Sequence, residues 1–297
     1  MQSYKEKLLR KTREKKSNIC LGVDFHQKNL PNFLKKEIKK NGLEKGVMKW
    51  TSSLLEATHK ILPAVKFQSS FFEALGTCGH NSLKASINQA KEKGFITVLD
   101  AKRCDISSTM EAYGYSAFED LKADALTVIS YMGADVVRPL YPWMRKGHGI
   151  YSVYLSSNHS GYKNQSLTNQ DKGPMMAQFF HQELMDEVDS LKLTDSFGLV
   201  IGIQAYKEKS QELSLLEKKY NFLMPGMGFQ GGQINSKIRE IEKNQSSYLL
   251  PMSRSLSGLG DSDAMETLNH MKDFDEYQDF VENRVLAYQK LMVNEYD

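Results

Sequence analysis

Residues 96–109 have the sequence ITVLDAKRCDISST, a strand-like apolar run that ends in closely spaced charges. The run at 96–99 predicts a buried strand, and Asp100, Lys102 and Asp105 follow it at once. Seven further runs of this kind are followed by segments with the apolar spacing of helices, and they lie at 19–24, 64–68, 125–129, 150–155, 199–202, 222–224 and 248–252. Eight strands alternating with helices predict an α/β fold, namely a (β/α)8 barrel.

The 297 residues show no linker, composition break or repeat that would divide the chain. An open, doubly wound sheet would use fewer strands, so we expect a single barrel domain over residues 1–297. Within it, residues 1–17 are expected to form an N-terminal extension and residues 270–297 a C-terminal helix.

The first 49 residues carry 14 basic and 5 acidic side chains, a net charge of +9, whereas the whole chain has a net charge of +3. Such a run is found in proteins that bind nucleic acids or membrane surfaces and in transit peptides. Because Glu6 and Glu14 interrupt it and Leu8 and Leu9 give only a weak apolar face, we expect a solvated surface helix and no nucleic-acid partner.

The composition weighs against several classes of protein. No stretch approaches the roughly 18 uninterrupted apolar residues of a membrane-spanning helix. Three scattered cysteines predict neither a disulfide framework nor a CxxC metal site, and the seven histidines show no HxH or HExxH spacing. We therefore expect a cytoplasmic enzyme that binds neither a metal nor a membrane.

Polar residues stand where the predicted strands end, on the face where barrels carry their active sites. Asp24 closes ICLGVD, where capping of a helix is its alternative role, and Lys66 interrupts the apolar run AVKFQ. Asp100 and Lys102 have the two-residue spacing that places side chains on one side of an extended strand, and a turn can bring Asp105 near them. A lysine among carboxylates stays protonated, so Lys102 is suited to donate a proton.

Residues 222–233, FLMPGMGFQGGQ, form a glycine-rich loop after the seventh strand. Its backbone amides suit a phosphate, and Arg254 after the eighth strand can bind one bidentately. The spacing Gly226-x-Gly228-x-x-Gly231 also matches a dinucleotide fingerprint, but no strand-ending acid follows it to hold a ribose. Barrels bind phosphate at the loops after strands seven and eight, so these two loops predict a phosphate site.

The motif LDAKRCDISST resembles the Asp-x-Lys-x-x-Asp-Ile-x-x-Thr signature of the orotidine 5′-monophosphate decarboxylase family. The KxQxxFFE segment from Lys66 to Glu73, the PGxGxQGG loop and the Ser253–Arg254 pair are similar to the longer bacterial branch of that family. The resemblance covers residues 19–258, with its motifs in the expected order. It implies a cofactor-free barrel enzyme that converts orotidine 5′-monophosphate to uridine 5′-monophosphate in pyrimidine biosynthesis.

The resemblance also implies roles in the reaction for the matching charged residues. Lys102 would protonate C6 of the pyrimidine, and Asp100 would lie against the departing carboxylate. Asp24 and Lys66 would contact the ribose hydroxyls, and Lys66 would also join the charged array. Asp105 would reach across a homodimer interface into the neighbouring site.

Further residues are implied to bind the substrate. Thr109 would cross the dimer interface together with Asp105, and Ser157 would bind the pyrimidine edge. Gln230, Gly231 and Arg254 would hold the phosphate.

The sequence departs from the family pattern at a few positions. Cys104 and Ser107 replace glycines, His159 replaces a proline and Gln204 replaces a threonine. If the backbone at Cys104 is left-handed, its Cβ costs about 1–2 kcal/mol.

Two other functions are open at this point. One is a Mg²⁺-dependent sugar-phosphate decarboxylase or aldolase from the same group of barrels, and full activity in EDTA would exclude it. The other is a catalytically silent nucleotide-binding homologue, which an absorbance assay with orotidine 5′-monophosphate would identify.

Overall fold

The computed structural model describes residues 2–28, 30–168, 175–227 and 247–294. Within these residues eight parallel strands form a closed barrel in chain order, which confirms the predicted (β/α)8 fold. The strands are β1 (Ile19–Val23), β2 (Ala64–Gln68), β3 (Ile96–Arg103), β4 (Ala125–Val128), β5 (Gly149–Leu155), β6 (Phe197–Ile201), β7 (Asn221–Leu223) and β8 (Tyr248–Met252). Each of them overlaps a predicted strand.

Helices precede, connect and follow the strands. They are α1 (Tyr4–Lys15), α2 (Asn32–Asn41), α3 (Leu43–Thr58), α4 (Ser69–Glu73), α5 (Thr77–Glu92), α6 (Ser107–Tyr115), α7 (Tyr141–Arg145), α8 (His159–Gln165), α9 (Met176–Ser190), α10 (Ile203–Lys219), α11 (Arg254–Ser257), α12 (Ser262–His270) and α13 (Phe274–Asn294). Helix α6 continues as a π-helical turn over Ser116–Asp120. No helix in the described ranges has both the length and the apolar character needed to cross a membrane.

The chain divides into two compact units. The first unit comprises Met1–Arg10 and Ala101–Leu250, and the second comprises Lys11–Asp100 and Pro251–Asp297. The single domain over residues 1–297 stays a prediction.

The strands are buried because their aliphatic residues face packing partners on both sides, as in other parallel sheets. Strands β1, β6 and β8 are buried over their whole length. Strand β3 is buried from Ile96 to Asp100, and its last three residues are partly or fully exposed. Its carboxyl end therefore carries polar groups out of the packed interior.

Helix α3 packs with α13 in the core of the second unit. The predicted apolar face of α3 is buried at Val47, Trp50 and Leu54. The indole Nε1–H of Trp50 donates to the hydroxyl of Tyr277, 2.9 Å away, and that hydroxyl donates to the carbonyl of Ser257. Each polar side-chain atom of this buried pair thus has a partner, which keeps the burial of both aromatic rings favourable.

Helix α1 has a buried face in the first unit. Tyr4 and Leu8 are fully buried, and the Tyr4 ring packs edge-on against Tyr151 with 5.8 Å between centroids. Gly149 makes room for this ring, because a Cβ there would lie 2.8 Å from two of its carbon atoms. The expectation of a solvated helix was therefore wrong for the part of α1 that contains Tyr4 and Leu8. Tyr4 supplies an apolar contact that the sequence pattern did not reveal.

Candidate functional site

Three charged residues meet at the carboxyl ends of β1, β2 and β3 in the second unit. The Lys66 Nζ lies 3.0 Å from Asp100 Oδ2 and 3.8 Å from Asp24 Oδ1. Lys66 and Asp100 are only 7% and 6% exposed. All three residues were predicted from the sequence, and the parallel register of the three strands brings them together.

The two carboxylates determine the charge of the buried lysine. Burial alone would lower the pKa of Lys66, but the negative charges of Asp100 and Asp24 outweigh that effect and raise the pKa above its ordinary value. Lys66 is therefore an ammonium ion at neutral pH. It neutralises part of the acidic charge and holds both carboxylates in place.

Asp24 retains an oxygen that can accept a hydrogen bond. Its Oδ1 is buried and has no hydrogen-bond donor within the described part of the chain, since the ammonium of Lys66 is at ion-pair distance only. A buried carboxylate oxygen in this state is stabilised by any donor that reaches it. A hydroxyl group of a ligand is suited to that role.

Gln68 is a further residue that contacts this cluster, and no role was predicted for it from the sequence motif that contains it. Its Nε2 donates to Asp100 Oδ2 over 3.4 Å, so that this oxygen contacts both the amide and Lys66. The signal was available, because Gln68 follows Lys66 by two positions in β2 and so lies on the same face of the strand.

Arg254 and His26 lie close together near the ends of β8 and β1. A Cβ on Gly260, whose φ is +79°, would lie 3.1 Å from His26 Cδ2 and 3.6 Å from Arg254 Cδ. The His26 ring also contacts Phe71, with 4.4 Å between centroids. Burial lowers the pKa of His26, the charge of Asp24 raises it and the charge of Arg254 lowers it further, with a net decrease. His26 was not predicted, although it follows the strand-ending acid by two positions.

In the first unit, Lys102 has an unusual backbone conformation. It is exposed and has a φ of +46°, which lies in the left-handed region. Its backbone N–H donates to Thr127 Oγ1 on β4 over 3.0 Å. The extended geometry that the two-residue spacing predicted is therefore interrupted at Lys102, within β3.

The left-handed backbone considered for Cys104 occurs at its neighbours Lys102 and Ser107 instead. Cys104 is not left-handed, whereas Ser107, the other residue that replaces a glycine, has a φ of +50°. Burial, and then the charge of Asp105, raise the pKa of the Cys104 thiol. A raised pKa disfavours the thiolate, which is the nucleophilic form of cysteine.

The remaining predicted residues of the first unit lie in surface loops and at the start of α6. Asp105 is partly exposed, and its Oδ1 accepts the N–H of Ile106 over 2.8 Å. Thr109 and Ser157 are exposed. Gly202 allows the backbone of Ser157 to approach the end of β6, because a Cβ on Gly202 would lie 2.8 Å from Ser157 Cα.

Two predicted phosphate ligands, Gln230 and Gly231, lie outside the described residues. In the described ranges, no group of three or more His, Cys, Asp or Glu side chains is arranged to hold a metal ion.

Comparison with known proteins places the chain in one family. The family model described as orotidine 5′-phosphate decarboxylase / HUMPS family matches residues 17–264. A Clostridium acetobutylicum protein named orotidine 5′-phosphate decarboxylase is 30% identical over 234 residues, which cover 76% of this chain and 81% of the relative. A Christiangramia forsetii protein of the same name is 28% identical over 251 residues, covering 84% of this chain and 87% of the relative.

A solved structure has the same fold. The crystal structure of Plasmodium berghei orotidine 5′-monophosphate decarboxylase superimposes with a TM-score of 0.75 at 19% identity, covering 99% of this chain and 98% of that chain. Both curated relatives bear the name of a carboxy-lyase. The family model covers well over half of the sequence, and the chain therefore belongs to the orotidine 5′-phosphate decarboxylase / HUMPS family of enzymes.

Proposed function

We propose that the protein decarboxylates orotidine 5′-monophosphate to uridine 5′-monophosphate in pyrimidine biosynthesis. Membership of the family supports the reaction class. The observation that carries the proposal is the buried arrangement of one ammonium, Lys66, between the carboxylates of Asp24 and Asp100. Fixed charges of this kind, at the ends of barrel strands, are suited to a reaction in which charge moves on the substrate.

The chemistry requires a proton donor and preorganised charge. Cleavage of the bond between C6 and the carboxylate releases CO2 and leaves the electron pair on C6 as a vinyl carbanion, which no neighbouring carbonyl delocalises. In our proposal Lys102 gives its proton to C6 and forms the new C–H bond, so the reaction requires no cofactor. Asp100, held by Lys66, lies against the departing carboxylate. Repulsion between the two negative charges raises the free energy of the bound substrate relative to that of the transition state.

The other residues bind the nucleotide. Asp24 Oδ1, which lacks a hydrogen-bond donor in the described residues, accepts a hydrogen bond from a ribose hydroxyl next to Lys66. Ser157 binds the pyrimidine edge, and Arg254 holds the phosphate together with Gln230 and Gly231. The phosphate group lies far from the reacting carbon, and the energy of its binding is available to orient the pyrimidine ring.

We infer that the protein acts as a cytoplasmic homodimer in which Asp105 and Thr109 enter the partner's site. Support comes from the exposure of Thr109, the partial exposure of Asp105 and the 46% exposure of Ile106 between them. The first unit also exposes Tyr131 and Phe180, whose rings contact each other. Exposed apolar groups of this size are typical of interaction surfaces.

Mixing two inactive variants tests the shared site. In the proposed dimer each site takes Lys102 from one subunit and Asp105 from the other. A dimer of one Lys102→Ala subunit and one Asp105→Asn subunit therefore contains one site with both residues intact and one site that lacks both. We expect the mixture to regain activity after subunit exchange. Absence of recovery in mixtures that are shown to form mixed dimers would contradict the sharing of Asp105.

An absorbance assay tests the reaction itself. The purified protein is expected to consume orotidine 5′-monophosphate at the same rate with and without EDTA. Loss of activity in EDTA, or activity on a sugar phosphate only, would favour the Mg²⁺-dependent alternative. Binding of uridine 5′-monophosphate without any turnover would identify a silent homologue.

A further inference from the structure

The side chain of Thr127 holds the backbone of the proposed proton donor. Thr127 is fully buried in β4, and its Oγ1 accepts the N–H of Lys102 over 3.0 Å. Lys102 has a φ of +46°, a conformation that its Cβ makes unfavourable. A non-glycine residue stays in this region only where its surroundings hold it there.

Two hydrogen bonds connect the backbone around Lys102 to neighbouring residues. Thr127 is paired with Tyr151 of β5, so the accepting hydroxyl is part of the sheet and not of a loop. The peptide after Arg103 is also held, because the N–H of Ile129 donates to the carbonyl of Arg103 over 2.9 Å. The end of β3 is thus bonded to β4 at Lys102 and to the residue that follows β4 at Arg103.

Valine would fill the place of Thr127 with the same shape and would suit a buried strand equally well. The difference is the hydroxyl, which accepts the hydrogen bond of the Lys102 amide. The direction in which a side chain leaves the backbone depends on φ and ψ. A Lys102 that relaxed to extended geometry would point its long side chain elsewhere.

We propose that Thr127 is a positioning residue, whose hydroxyl keeps Lys102 left-handed and so aims its ammonium at the substrate. The proposal rests on the proposed function, since it takes Lys102 as the proton donor. Because Thr127 is fully buried and its hydroxyl accepts the Lys102 amide, it is expected to act through Lys102. Its loss is therefore expected to lower kcat and to leave nucleotide affinity unchanged.

The test compares Thr127→Val with Thr127→Ser. The valine variant removes the hydroxyl at constant shape, and the serine variant keeps it. Thr58→Val is the matched control, because Thr58 is equally buried and its hydroxyl donates to the carbonyl of Leu54 over 2.7 Å, in helix α3. We expect Thr127→Val to lower kcat about tenfold or more, as misplacement of a reacting group does, with the Kd for uridine 5′-monophosphate unchanged.

The serine variant is expected to retain most of the wild-type kcat, and the Thr58→Val control all of it. Hydrogen exchange at the Lys102 amide supplies a readout that does not depend on activity. This amide should exchange faster in Thr127→Val than in the wild type and in the control.

The outcomes separate the two proposals. A wild type that does not consume orotidine 5′-monophosphate overturns the proposed function, and exchange at the Lys102 amide still tests the hydrogen bond. A Thr127→Val variant with wild-type kcat overturns the positioning role. Equal losses of kcat and Tm in Thr127→Val and Thr58→Val would assign Thr127 a purely structural role and overturn the proposal as well.

Discussion

Replacing Lys66 by methionine removes the ammonium from the ion cluster at the end of β2 and nearly conserves the side-chain volume. Asp100, which is 6% exposed, and the partly buried Asp24 then keep their charges without the cation between them. We expect the variant to fold less stably, because the desolvation of the carboxylates persists while the attraction that offset it is gone.

The distances give the size of the effect. At an effective dielectric constant of about 20, unit charges 3.0 Å apart attract each other by about 5.5 kcal/mol, and charges 3.8 Å apart by about 4.4 kcal/mol. Desolvation offsets much of this attraction in the wild type. Removal of one partner from a buried pair typically costs about 3–5 kcal/mol, and we expect a loss of this size in the free energy of unfolding.

Urea denaturation at several pH values measures the loss. Because the pKa of Lys66 is raised above 10.5, its stabilising contribution is fully present below pH 10.5 and is lost only as the pH rises through the raised pKa. The wild type therefore shows no titration of Lys66 near neutrality. In the variant, burial without the cation raises the pKa of Asp100, so protonation favours the folded state and the difference from the wild type shrinks as the pH falls.

A second substitution separates the ion pair from packing. The double variant Lys66→Met/Asp100→Asn lacks both charges, and it should be more stable than the two single losses would predict. A loss below about 1 kcal/mol in Lys66→Met would refute the reasoning, since a loss of that size is typical of an exposed pair. Strict additivity of the two substitutions would refute it as well.

Two further predictions concern folding. Burial lowers the pKa of His181 to about 4, and the hydrogen bond between its ring and the Ala177 carbonyl only partly opposes this decrease. The Nε2 of His181 lies 2.9 Å from Ser152 Oγ. The unfolded state therefore binds the proton more readily, and the free energy of unfolding should fall by about 3 kcal/mol as the pH drops from 6.5 to 4. Denaturation curves of His181→Gln should lack this dependence, and an unchanged slope would contradict the assignment. Gly22→Ala should lower stability by about 1–3 kcal/mol, because its Cβ would lie 2.7 Å from Ser253 Cβ and 3.0 Å from Ser253 Cα. An unchanged urea midpoint would show that the backbone gives way at little cost.

Much of the fold was predictable because barrel strands leave a strong local signal. A strand that is buried on both faces has to be aliphatic throughout, and a charge such as Asp24 or Asp100 marks the point where it emerges. The cluster of Asp24, Lys66 and Asp100 was foreseeable for the same reason, since parallel strands bring their carboxyl ends to one edge.

Other features depend on contacts that sequence patterns do not encode. Lys102 has a left-handed backbone, and its N–H donates to the hydroxyl of Thr127, which is distant in sequence. The buried face of α1 depends on the space that Gly149 leaves for Tyr4. His26 comes close to Arg254 beside a loop that bends at Gly260. In each case contacts between residues distant in sequence determine the conformation, and the local sequence does not.

Turnover by Lys102→Ala is the measurement that tests the proposed chemistry most directly. The variant is expected to bind uridine 5′-monophosphate measurably and to show no decarboxylation of orotidine 5′-monophosphate, because it lacks the proposed proton donor to C6. Decarboxylation by Lys102→Ala at the wild-type rate would contradict the role of Lys102 as proton donor.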